Sequence, residues 1–311
     1  MNRIAPFRVL AMALVAASVN ADAKPFAVVG YLPEYRIASV TAAQVGPVTD
    51  LVFFGIEPPA DGRLPNSVVA RATLRKLHDL KRLRKCKLLV CIGGWNRSAG
   101  FPALARDGAC RKRLIAGLID YCQNNQFDGV DYDWEHPKGE GQLGDYARLL
   151  AETKAAFREK QLIVTVAQAG WQNLGDVAYQ AVDRVHLMSY DHDFPQATFL
   201  KSKADVERLL GWRCPAEKIA LGLPFYGRNQ RNEARTYGEL VGQQPVDSNL
   251  DRIEGFAFNG QATILRKLQF ARRHQLAGVM IWELGQDAAR KDTSLVRSIQ
   301  RGIASPIDGE D

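Results

Sequence analysis

The chain has 311 residues, of which 46% are hydrophobic, 24% charged and 9% aromatic. That balance supplies a sizeable core and excludes a disordered chain, a collagen-like repeat and a small disulfide scaffold. The 41 basic and 34 acidic residues give a formal charge of +7, spread along the chain and not gathered in a tail. Acidic surfaces are compatible partners for such a chain, but it contains no nucleic-acid-binding module, and no nucleic-acid partner is expected.

Residues 1–23 read as a cleavable signal peptide and not as part of the fold. Arg3 and Arg8 form a positive start, Val9 to Ala17 an apolar core, and Ala21-Asp22-Ala23 an A-x-A cleavage site. The apolar core is too short to span a bilayer, and no later run reaches the roughly 18 apolar residues of a membrane helix. The expectation is a secreted or periplasmic monomer made of one domain, residues 24–311, with no membrane association after cleavage.

Eight short apolar runs follow: Phe26–Leu32, Leu51–Ile56, Lys87–Ile92, Gly129–Trp134, Leu162–Gln168, Val185–Tyr190, Ile219–Pro224 and Gly278–Trp282. Several are continuous, without polar alternation, as expected of strands buried on both faces. Between them run helical stripes, Leu74, Leu77, Leu80 and Leu83 in one and Tyr146, Leu149, Leu150 and Phe157 in another. Strand and helix alternating in this way predict an α/β fold, a (β/α)8 TIM barrel. An open doubly wound sheet is the other arrangement, but its Gly-rich phosphate loop is missing. The widest gap, Gly227 to Gly278, has room for a strand-rich excursion but not for a large inserted domain.

Five cysteines, Cys86, Cys91, Cys110, Cys122 and Cys214, fit no CxxC zinc or redox spacing. Export permits disulfides, although an odd count leaves at least one thiol free. Cys86 stands at the start of the third predicted strand, just before the run Lys87–Ile92, and Cys122 at the end of the following helix. Those ends share one face of a sheet, so a Cys86–Cys122 bridge and five buried thiols are both open.

Barrel enzymes carry their chemistry where strands end, at the C-terminal face. The fourth run ends in Asp128-Gly129-Val130-Asp131-Tyr132-Asp133-Trp134-Glu135. Side chains alternate along a strand, so Asp131, Asp133 and Glu135 share one face, successive Cα atoms roughly 6.5 Å apart. Three carboxyls that close cannot all ionise cheaply, so at least one keeps a proton at neutral pH, as a general acid must. A cation site would also use clustered carboxylates, but this aromatic-flanked strand lacks the Gly and Asn turns of a calcium loop. Asp128, of opposite parity, is expected to support the strand end.

The pattern Asp128-Gly129-x-Asp131-x-Asp133-x-Glu135 resembles the DGxDxDxE signature of glycoside hydrolase family 18, the chitinases and their relatives. Other strand ends resemble the same family: Gly30-Tyr31, Phe53-Phe54, Cys91-Ile92-Gly93-Gly94, Met188-Ser189-Tyr190-Asp191, Gly222-Leu223-Pro224-Phe225-Tyr226-Gly227-Arg228 and Trp282. The resemblance implies a retaining mechanism in which the substrate's N-acetyl group is the nucleophile. It makes Glu135 the acid and then the base, and Asp133 the acceptor of the acetamido N–H. Asp131 is the partner that shares a proton or hydrogen bond with Asp133, and Tyr190 the group that holds the acetamido oxygen. Trp282 would floor the −1 sugar. Met188 could line the pocket wall and Asp191 bond substrate, while Tyr31, Phe54, Trp95, Tyr226 and Arg228 could line other subsites or anchor loops.

Cys91 stands where the family usually has serine, and its thiol is a weaker hydrogen-bond partner for the Asp131 region than a hydroxyl. His186 alternates in phase with Met188 and Tyr190 and is expected inside the barrel as a hydrogen-bonded core residue. Asp191-His192-Asp193 looks like metal ligands on paper, but Asp191 already has a place in the family pattern; no metal or cofactor is expected. The leading function is cleavage of β-1,4 bonds after N-acetylglucosamine in chitin or its oligomers, endo more than exo. The same chemistry on the N-glycan core or on peptidoglycan, and a chitinase-like lectin without turnover, are the other readings.

Overall fold

Apolar runs without polar alternation need cover on both faces, and closing them into a ring meets that need. The computed structural model describes residues 25–65, 69–242 and 246–307. The expected signal peptide lies outside the described residues. The strands are β1 (Ala27–Pro33), β2 (Asp50–Ile56), β3 (Lys87–Gly93), β4 (Gly129–Asp133), β5 (Ile163–Ala169), β6 (Arg184–Met188) and β7 (Ile219–Pro224). Four short strands come next: β8 (Tyr226–Arg228), β9 (Ala234–Thr236), β10 (Arg252–Ile253) and β11 (Phe256–Ala257). With β12 (Gly278–Trp282) the barrel closes in parallel as β1-β12-β7-β6-β5-β4-β3-β2. Each barrel strand coincides with an apolar run of the sequence to within two residues at either end.

Helices between the strands include Arg71–Arg84, Gly108–Asn124, Gly139–Arg158, Phe199–Gly211 and Gln261–Arg273. The stripe of Tyr146, Leu149, Leu150 and Phe157 is buried, as are Leu77 and Leu80, but Leu83 is 60% exposed. Its strict three-residue spacing explains this. Each step of three falls about 60° short of a full turn, so the fourth leucine has drifted to the far side of the helix. No helix among the described residues is long and apolar enough to cross a membrane.

Alternation along the strands divides the core in two. Leu51, Phe53, Leu88, Val90, Val130 and Tyr132 point outward into the layer shared with the helices. Val29, Tyr31, Val52, Phe54, Leu89, Cys91 and Met280 point inward and fill the barrel. The bottom of the barrel is polar: Arg184 Nη1 lies 3.5 Å from the buried Asp50 Oδ2. Asp128 accepts the Leu88 N–H at 2.7 Å and pairs with Lys81, tying the start of β4 to β3. Between β7 and the helix Gln261–Arg273 the described residues make a four-stranded sheet, β10-β11-β8-β9, and the short helix Tyr237–Val241. Among the described residues there is therefore no large inserted domain. All five cysteines are free thiols, and the Cys86–Cys122 bridge does not form.

One buried amine braces the edge of the active face through its hydrogen bonds. Lys267, wholly buried in the helix Gln261–Arg273, donates to Ala197 O and Asn259 Oδ1, both at 2.7 Å. Burial pulls its ammonium down to about 7, and the nearby Asp251 and Asp205 oppose the shift. The unfolded chain then binds more protons than the folded one between that value and the ordinary lysine range near about 10.4, so this group adds stability as pH rises. Relative to the wild type, Lys267→Met should therefore lose stability as pH is raised from about 7 toward about 10 in urea titrations. Parallel stability curves for the two proteins would contradict the assignment.

Candidate active site

The C-terminal ends of β1, β3, β4, β6 and β12 converge on one mouth, and β4 delivers the chemistry. Asp131 and Asp133 are buried on its inner face, and Glu135 emerges at the rim, half-buried. The strand end is held by its neighbours. Gly94 N–H donates to Asp133 O at 2.7 Å, and Glu135 N–H donates to Ser98 Oγ at 2.9 Å. β3 comes this close because Gly93 has a left-handed φ of 104°, and a Cβ there would lie 2.1 Å from Asp133 O.

The three carboxyls sit in three different environments. Both oxygens of Asp131 accept: Oδ2 from Tyr31 Oη at 2.6 Å, and Oδ1 from Thr165 Oγ1 at 2.5 Å. His186 Nδ1 stands 3.1 Å from the same Oδ1. Asp133 Oδ1, by contrast, is buried with no hydrogen-bond partner among the described residues, a rare state for a buried polar atom. Burial first, then the charges of Glu135 and Asp131, push its carboxyl well above the carboxylate range. Glu135 is pushed up to about 7 by burial and then by the Asp191 charge, while a backbone hydrogen bond from Trp95 opposes. A proton is thus available in this site at neutral pH.

Around the acids, Tyr190 is kept a phenol by burial, with the charges of Tyr226, Asp133 and Glu135 adding to the shift. Trp282 stands at the end of β12, its ring 5.6 Å from Tyr31 and 5.0 Å from Phe54. Met188 is partly buried against the same inner layer. Asp191, exposed, accepts from Tyr226 Oη at 2.8 Å and pairs with Arg228. With Arg36 and Gln286, these groups and Trp282 line a cleft of about 380 Å³, within the usual range for a small-ligand site.

The structure brings Glu135, Asp133, Asp131, Tyr190, Met188, Asp191 and Trp282 to one place. Tyr31, Phe54 and Tyr226 are buried, and each meets another member of the group: Tyr31 meets Asp131, Phe54 meets Trp282 and Tyr226 meets Asp191. Trp95 is 66% exposed beyond β3. Sequence reasoning passed over Trp171, 64% exposed just after β5, and His136. The His136 ring packs edge-on to Trp171 at 4.9 Å, and its Nε2 lies 3.5 Å from Glu135 Oε2. An aromatic residue just past a strand end was the available signal for Trp171. His192 is occupied on both ring nitrogens, by Asp205 Oδ2 at 2.8 Å and by the Ala197 N–H at 3.2 Å. Among the described residues, no group of three or more His, Cys, Asp and Glu side chains is placed to hold a metal ion.

A (β/α)8 barrel with two buried acids on its fourth strand and a third just past its end defines the class, a glycosidase-type barrel. Residues 27–287 match the family described as Glycosyl hydrolases family 18, and the chain belongs to that family. It is 25% identical over 306 residues to probable chitinase 2 of Drosophila melanogaster, covering 74% of this chain and 63% of that protein. It is 26% identical over 298 residues to chitinase 1 of Aphanocladium album, covering 76% and 70% of the two chains. The barrel superposes on the crystal structure of a chitinase from Bacteroides thetaiotaomicron with a TM-score of 0.79 at 25% identity, covering 90% of this chain and 97% of that one.

The divided environments have a direct spectroscopic consequence. The Glu135 carboxyl, followed by carbon NMR, should titrate with a midpoint of about 7. Asp191→Asn removes the neighbouring negative charge and should lower that midpoint. A midpoint that stays put or rises in the variant would show that Asp191 does not act on Glu135.

Proposed function

We propose that this protein is an exported retaining chitinase that cleaves β-1,4 bonds after N-acetylglucosamine in chitin or its oligomers. The observation that carries this reading is the graded acid trio of β4. Asp131 is saturated by donors, Asp133 is buried with an open oxygen, and Glu135 is partly exposed and pushed up to about 7. Each environment suits one step.

Glu135 holds the proton that the leaving glycosidic oxygen needs, and after its loss the same carboxylate draws a proton from water. The acetamido group of the −1 sugar attacks C1 from the other side, and Asp133 Oδ1 accepts its N–H, so the open oxygen gains its missing partner. Tyr190, held as a phenol, donates to the acetamido oxygen and fixes the attack angle. Trp282, a broad apolar surface beside the acids, stacks on the sugar face. Trp95 and Trp171, exposed on either side of the β4 end, extend the aromatic track to further sugar units. The small excursion between β7 and β12 leaves the cleft without a tall wall, which favours endo cleavage.

Hydrolysis of a fluorogenic chitobioside and chitotrioside tests this reading. The wild type should release fluorophore, and Glu135→Gln should fold normally while losing roughly 10²–10⁴-fold in rate. Near-normal turnover by the variant would remove Glu135 from the acid role. No release with measurable binding of chito-oligomers would mark a lectin, and neither release nor binding would move the substrate to N-glycans or peptidoglycan. On long chito-oligomers the early products should be of mixed length; processive release of dimers alone would contradict endo action.

A further inference from the structure

The shell of donors around Asp131 contains a member that the mechanism above does not use. β6 turns His186 inward, wholly buried, with its imidazole between β1 and β4. Nδ1 lies 2.8 Å from Tyr31 Oη and 3.1 Å from Asp131 Oδ1. Counting hydrogens decides which atom donates. Tyr31 has one hydroxyl hydrogen and gives it to Asp131 Oδ2 at 2.6 Å, so toward His186 its oxygen accepts. Thr165 gives its hydrogen to Asp131 Oδ1 at 2.5 Å. A bare Nδ1 lone pair would then face two acceptor oxygens, whereas an Nδ1–H serves both. Nε2, at the other side of the ring, is buried with no partner among the described residues. The fold thus tolerates one orphaned ring nitrogen to keep the other in this shell.

Cys91 shows why a further donor is needed. It pairs in register with Asp131 across β3 and β4, in the position where a hydroxyl would be a stronger donor than its thiol. We propose that His186 is a positioning residue of the reaction. Its Nδ1–H completes the donor shell, keeps Asp131 an acceptor and leaves the proton of the Asp131–Asp133 pair on Asp133. The inference rests on the glycosidase reading. The titratable groups facing the imidazole are Tyr31 on β1 and Asp131 on β4, with Cys91 on β3 and Asp133 on β4 next to Asp131. β5 and β7 present only Thr165, Ala167 and Ala220, and the Asp50–Arg184 pair lies at the bottom of the barrel.

Two measurements test this. In the wild type, nitrogen NMR of the His186 ring should find hydrogen on Nδ1. In pH profiles of kcat/KM on a chitotrioside, His186→Phe removes a donor from the carboxylate pair, so the pair takes up a proton more readily. The acidic limb should move upward by about one pH unit or more, with the alkaline limb, set by Glu135, in place. His186→Asn, which keeps an N–H, should hold the acidic limb near its wild-type position. A bare Nδ1 in an active wild type overturns the role of His186 alone, as does a profile of His186→Phe that is merely scaled down. If His186→Phe does not fold, the ring NMR and the His186→Asn profile decide. Absence of wild-type turnover overturns the glycosidase reading itself, and the catalytic role with it.

Discussion

Three carboxyl groups spaced two residues apart, two on β4 and the third just past its end, are a constraint that the rest of the site is arranged to meet. The pleat of β4 sets the spacing of Asp131 and Asp133, and the like charges of the three cannot all be expressed cheaply so close together. The barrel resolves this by grading the environment along the strand. At the deepest position Tyr31, Thr165 and His186 surround Asp131. One period on, Asp133 keeps an unpartnered buried oxygen. At the rim, Glu135 is half-buried beside His136.

Five other strands serve that gradient. β3 ends in glycines so that its backbone can bond Asp133 O directly. β1, β5 and β6 each send one donor toward Asp131 from a different side. β12 closes the ring and sets the Trp282 indole against Tyr31 and Phe54, so the aromatic surface and the acid shell share a supporting residue in Tyr31. The loop after β6 carries Asp191 and is pinned from behind by His192 on Asp205, by Gln196 and by the buried Lys267. The acid at the rim therefore feels a charge whose position is itself fixed.

Much of the fold was legible because strands buried on both faces must be continuously apolar, and continuity is easy to see. The eight runs match the eight barrel strands for that reason. The acid trio was legible because period-two spacing at a strand end has few structural explanations. Reach across the barrel was less visible. Tyr31, Phe54 and Tyr226 stand at strand ends like their neighbours, but how deep each side chain sinks depends on strand stagger, which one sequence does not carry. Leu83 failed for a different reason, the drift of a three-residue repeat on a helix of 3.6. Cys86 and Cys122 start and end neighbouring elements, yet both remain free thiols. Trp171 stands two residues past β5, the same offset as Trp95 past β3, but no strand-end motif marks it, and His136 follows Glu135 off the parity of β4.

The central claim is that Asp133 and Tyr190 are arranged to turn the substrate's own acetamido group into the nucleophile, with Glu135 acting twice. The stereochemistry of the first product reports this directly. Proton NMR of chitotetraose hydrolysis, recorded before mutarotation, should show the β-anomer appearing first, because attack by the acetamido oxygen and then by water inverts C1 twice. An α-anomer appearing first would mean a single displacement by water. The graded acid trio would then need a different chemical explanation.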